Sequence, residues 1–115
     1  MSTSSHTNGD IAQKQLDAYN AQDVDAMMAF YAPDVIVSGL NGTPTETDRD
    51  ALHARYTKAF AQFPQNRAEL VARIAVGNTV ADHEHVIRAP GGETFDVIAI
   101  YTFRDGLISR VDFAK

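Results

Sequence analysis

From residue 67 onward the chain reads with a period of two, interrupted at three places by turn-forming residues. That rhythm constrains the fold more than any other feature. Gly77-Asn78 separates "RAELVARIAV" from "TVADHEHVIR", Pro90-Gly91-Gly92 separates the latter from "ETFDVIAIYTFR", and Asp105-Gly106 leads into "LISRVDF". Alternation marks half-buried strands, and two-residue turns built from Gly, Asn and Asp mark tight hairpins. The expected product is an antiparallel meander of four consecutive strands.

Before residue 67 the period is that of a helix. "DIAQKQLDAYNAQD" places Ile11, Gln15, Leu16 and Tyr19 on one face. Asp23 can cap a second helix carrying Val24, Met27, Met28 and Tyr31, which Pro33 would end. "DVIVSGL" reads as a short strand and "NGTPTE" as a turn-rich loop. Thr47 with Asp50 resembles a capping box for a third helix, which presents Leu52, Tyr56, Phe60 and Phe63 before Pro64. Helices first and strands afterwards define an α+β chain in which three helices cover one face of the meander. The expected division is a disordered tail over residues 1–9 and a single domain over 10–115.

Composition removes several functions. A net charge of −5, with basic residues scattered, argues against nucleic-acid and anionic-membrane surfaces. With no cysteine, disulfides, thiolate nucleophiles and thiolate metal sites are excluded. No apolar stretch reaches the length of a membrane span and the amino terminus lacks a secretory pattern, so a cytoplasmic location is expected.

Strand parity decides which residues share a face. Centring the outer hairpins on their turns puts Ala72 opposite His83, Leu70 opposite His85, Ala99 opposite Asp112 and Tyr101 opposite Arg110. For the middle turn, a three-residue loop 90–92 sets Ala99 beside His83 and Val97 beside His85, whereas a four-residue loop slips the register by one. The three-residue loop keeps each face coherent and is preferred. His83, His85, Phe95, Val97, Ala99, Tyr101, Arg110 and Asp112 then line an apolar wall under the helices. The other face carries Ile98, Ile100, Val111 and Phe113, too apolar to leave in water, so a homodimer through that face is expected.

Helix, "YNAQDVDAMMAFYAPDV", long helix, then a meander ending in "YTFRDGLISRV" resembles the nuclear transport factor 2-like superfamily, and within it the SnoaL-like polyketide cyclases and ketosteroid isomerases. The resemblance implies a cone-shaped, cystatin-like fold with a curved, mainly antiparallel sheet, a hydrophobic pocket closed by the helices, and dimers through the outer face. The catalytic base and oxyanion-hole positions of the isomerases fall on Gly39, Gln15 and Ala99, none of which can serve, so that mechanism is not expected here.

Two histidines one residue apart on a strand share a face, and a metal needs a third ligand that nothing local supplies. Neither a metal nor another cofactor is expected. The favoured reading is an acid–base pair of His83 and Asp112 moving a proton next to a carbonyl, in a chain of isomerase or cyclase type. Gln15, Tyr19, Tyr56, His85, Phe95, Val97, Ala99, Tyr101 and Arg110 would bind a small apolar substrate. The alternative is a non-catalytic ligand-binding or dimeric association module, whose pocket only holds a hydrophobic molecule. Glu84, between the histidines, reads as a surface or interface partner of Arg73.

Overall fold

A computed structural model describes residues 7–115. Its elements in order are α1 (Asn8–Asn20), α2 (Val24–Met28), β1 (Tyr31–Gly39), β2 (Pro44–Glu46), α3 (Arg49–Gln62), β3 (Arg67–Val76), β4 (Thr79–Ile87), β5 (Thr94–Arg104) and β6 (Leu107–Ala114). One six-stranded sheet runs β2-β1-β6-β5-β4-β3. It is mixed, because β1 lies parallel to β6 while every other pair is antiparallel. The helices pack against one face and the sheet does not close on itself, with β2 and β3 as its edges.

Local chemistry explains the element ends. Thr7 and Asp10 form a reciprocal capping box that starts α1 at Asn8, inside the expected tail; the rest of that expectation, residues 1–6, lies outside the described residues. Asp23 caps α2 as expected, its carboxylate accepting from Ala26 N. That helix stops at Met28, earlier than its apolar spacing implies, and Tyr31 opens β1 instead. Pro33 is a strand residue: the β1–β6 ladder skips from Tyr31 to Ile36, and the missing N–H falls in that gap. Asp48, not Thr47, caps α3, accepting from Ala51 N at 2.7 Å. "NGTPTE" turns and then adds the short strand β2 beside β1.

All four strands of the expected meander form, and both two-residue turns hold. Gly77 sits at φ 58°, Asp105 at 54° and Gly106 at 78°. The middle connection differs. Arg88 N donates to Glu93 O, so the loop is the four residues 89–92, closed by Gly92 N on Ala89 O at 2.8 Å. Pro90 followed by Gly91 at φ 72° is the residue order of a type II turn, which needs a positive φ at its third position. The pairing is therefore His83 with Ile98 and Asp82 with Ala99, one residue away from the expected register.

Two bulges complete the reassignment. Val71 is an extra residue in β3: Ala72 still faces His83, but Leu70 faces Glu84. Ser109 is an extra residue in β6, its hydroxyl donating to Thr102 O, and it sets Ala99 opposite Phe113 and Ile100 opposite Asp112. The face under the helices consequently presents Val80, Asp82, Glu84, Val86, Val97, Ala99, Tyr101, Val111 and Phe113. His83, His85, Ile98, Ile100, Arg110 and Asp112 project to the other side.

Candidate active site

Between α1, α3 and the inner sheet lies a cavity of about 270 Å³. Leu16, Phe60, Phe63, Val86, Phe95, Val97 and Phe113 supply its apolar wall. Gln15, Tyr19, Tyr56, Asn66, Glu84, Tyr101 and the cations Arg55, Arg88 and Lys115 supply the polar groups. Tyr19, Tyr56 and Phe60 pack edge-on or tilted against one another at 5.3–5.9 Å between ring centres. Of the residues singled out from the sequence, Gln15, Tyr19, Tyr56, Phe95, Val97 and Tyr101 border this space. Ala99 is fully buried in the core beside it.

His83, His85, Asp112 and Arg110 do not reach the cavity, because the turn and the Ser109 bulge each shift parity by one. On the outer face Asp96 bridges the two histidines, 2.6 Å from His83 Nε2 and 2.7 Å from His85 Nδ1. Those two bonds hold the exposed Asp96 carboxyl below its ordinary range. Arg110 donates to Asp112 along the same strand. No group of three or more metal-ligating residues forms a metal-binding cluster among the described residues.

The acidic group that does face the cavity is Glu84. As an even-numbered residue on β4 it points inward with Asp82 and Val86, and it is 7% exposed. Its Oε2 is buried and has no hydrogen-bond partner. Burial first, and the Asp82 carboxylate second, raise its pKa to about 7, against a smaller opposing pull from Arg73. Asp82 itself is fully buried and held by a two-pronged bond from Arg73, Nε to Oδ1 at 2.7 Å and Nη2 to Oδ2 at 2.9 Å. Arg73 is thus spent on Asp82 rather than on Glu84. A carboxyl between two histidines on a strand must face away from both, and that alternation was the available signal.

A hydroxyl and amide network borders the same cavity. Tyr31 donates to Gln15 Oε1 at 2.6 Å, and Gln15 Nε2 donates to the Tyr101 hydroxyl at 3.3 Å. Asn66 donates to the Tyr19 hydroxyl, and Arg88 fixes Asn66 through its Oδ1 at 2.9 Å. Since Tyr19 and Tyr101 accept in these bonds, each keeps its own proton available to donate. Burial raises the pKa of Tyr19, Tyr56 and Tyr101 above the usual phenol value, so all three stay protonated at neutral pH. The cavity therefore pairs one carboxyl able to exchange its proton near neutrality with several phenol donors, inside aromatic walls.

Residues 12–111 match the model of the SnoaL-like domain, and the chain belongs to that family, within the nuclear transport factor 2-like superfamily. The chain is similar to the crystal structure of an uncharacterised cystatin-fold protein from Novosphingobium aromaticivorans, with a TM-score of 0.90 and 34% identity, covering 96% of this chain and 99% of that one. A candidate polyketide cyclase from Sinorhizobium meliloti gives a TM-score of 0.78 at 23% identity over 94% of this chain and 99% of that one. A candidate ketosteroid isomerase from Kribbella flavida gives 0.80 at 20% identity over 93% and 76% respectively. These two likenesses show fold alone. No curated protein sequence matches the chain. No helix among the described residues is long and apolar enough to cross a membrane.

Proposed function

We propose that the protein binds a small apolar carbonyl compound in this cavity and moves a proton on the carbon next to its carbonyl, an isomerase- or cyclase-type reaction with Glu84 as the general base and acid. The observation that carries the reading is the buried, unpartnered Oε2 of Glu84 on the cavity wall. As a carboxylate it can accept a proton from a substrate carbon, and as a carboxylic acid it can return that proton elsewhere. Its pKa of about 7 makes both forms available at neutral pH. The protonated hydroxyls of Tyr19, Tyr56 and Tyr101 are suited to stabilise the enolate oxygen that forms meanwhile.

Incubation with 2-tetralone in deuterated buffer tests the reading through deuterium uptake at the carbons flanking the carbonyl. Uptake above the buffer rate is expected for the native chain, with a loss of at least about a hundredfold in Glu84→Gln, the scale of one acid–base group. Equal uptake by both proteins would remove Glu84 from the mechanism. Binding of the ketone without any uptake would favour the second reading, a pocket that only holds its ligand.

A second copy of the chain is proposed to cover the outer face. Ile98 at 43% and Ile74 at 68% exposure form part of an apolar surface there that water alone would otherwise meet.

A further inference from the structure

We infer that the ligand of this cavity is an amphipathic anion: an apolar, ring-bearing body lying along β4 with a carboxylate or similar acidic group at Arg88. The inference rests on the cavity being a ligand site, and adds what its mouth selects. Among the described residues, Arg55, Arg67, Arg73, Arg104 and Arg110 each form an ion pair with Asp or Glu. Arg88 is held differently. Its guanidinium lies 4.8 Å from the ring centres of both Phe63 and Phe95, and among the described residues its only hydrogen bond goes to the neutral amide oxygen of Asn66. Lys115 Nζ lies 4.3 Å from the same Phe95 ring.

These contacts fix the guanidinium in position yet leave its charge unneutralised. One N–H is committed to Asn66, so others of the planar fork remain for a bidentate acceptor. The stacked rings hold the group before a ligand arrives, which lowers the ordering cost of binding. In a chain of net charge −5, a cationic cavity mouth is also a local reversal of field, suited to capturing an anion.

Geometry sets the ligand's length. Residues 84, 86 and 88 follow the same face, and a strand rises about 3.3 Å per residue, so Glu84 and Arg88 are roughly 13 Å apart along the backbone. Val86 lies between them, with Phe95 and Val97 on the neighbouring strand. That span fits two fused or linked rings, with a reacting carbonyl at one end and an acidic group at the other. It also keeps the ligand's anion beyond close repulsion from Glu84.

Suitable probes are 4′-acetylbiphenyl-4-carboxylate and the corresponding carboxamide, which have the same size and shape but differ at one end in charge and in one acceptor oxygen replaced by an NH2 donor. Calorimetric titration should give the carboxylate at least about a tenfold tighter Kd, on the scale of one charge-assisted contact. The preference should shrink as salt is raised. Arg88→Met should abolish it, weakening the carboxylate at least about tenfold more than the amide, and Arg88→Lys should retain part of it. Equal affinities for the two probes in the native chain, or equal weakening of both by Arg88→Met, would overturn the inference. Failure of both probes to bind would remove the cavity as a ligand site and this inference with it. Deuterium uptake at the acetyl methyl is a separate readout. Anion preference without uptake sinks only the role of Glu84, and uptake without preference sinks only the role of Arg88.

Discussion

At the scale of single residues, the inner face of β4 concentrates what is unusual about this chain. Two carboxyls, Asp82 and Glu84, are buried two positions apart, and Arg73 bonds to the first and not to the second. The folded chain therefore holds the Glu84 proton up to about pH 7, whereas an unfolded chain releases it near 4.5. The Glu84 contribution to stability should be fully present below that lower value and be lost as pH rises through the upper one, by about 3 kcal/mol if the whole difference in pKa is realised. Glu84→Gln should abolish this slope and exceed the native chain in urea resistance at pH 8. Flat, superimposable stability curves for the two proteins would contradict it. Asp82→Asn removes a neighbouring negative charge and frees Arg73, so the Glu84 midpoint, followed by carbon NMR of the side-chain carboxyl, should drop. Glu84 was hard to read from the sequence because a carboxylate between two histidines looks like a solvated strand residue. Its burial depends on which side of the sheet the helices occupy, and residue type does not carry that information.

At the scale of elements, much of what is encoded within a few residues of chain was legible, although the cap of α3, the end of α2 and the middle turn were misread, and what depends on counting across a connection was not. Helical spacing located α1 and α3, Asp23 announced α2, and the Gly77-Asn78 and Asp105-Gly106 turns fixed two hairpins. The cavity residues Gln15, Tyr19 and Tyr56 followed from those helical faces and needed no strand register. The assignments of His83, His85, Arg110 and Asp112 needed parity to survive the Pro90-Gly91 turn and the strand β6, and it survived neither. A bulge such as that at Ser109 leaves almost no local signature. The middle turn did carry one: proline then glycine at its centre specifies four residues rather than three. Gly91 stands at φ 72° with open space where a Cβ would go. Gly91→Ala should consequently cost about 1 kcal/mol, from backbone strain alone, measurable by chemical denaturation with the inner cavity unchanged. A cost near zero would mean the turn adopts another conformation in solution.

At the scale of the whole molecule, an open sheet with helices on one side leaves the other side to be accounted for. Ile98 and Ile100 lie on it as anticipated, but Val111 is buried within the core and Phe113 borders the cavity, so the expected interface loses two of its four named residues. If a second copy covers this surface, Ile98→Glu should give monomers by analytical ultracentrifugation without changing the fold. Monomeric behaviour of the native chain at micromolar concentration would exclude that assembly. The cluster of His83, Asp96 and His85 lies on the same side. The four-residue turn between β4 and β5 has a reach well beyond its own geometry. Whether odd or even positions of β4 look inward relative to β5 depends on the number of residues between the strands. A change of one residue in that turn would bring His83 and His85 inward and send Glu84 outward relative to β5, exchanging a carboxyl on the chamber wall for two imidazoles while every residue of the strands stayed the same.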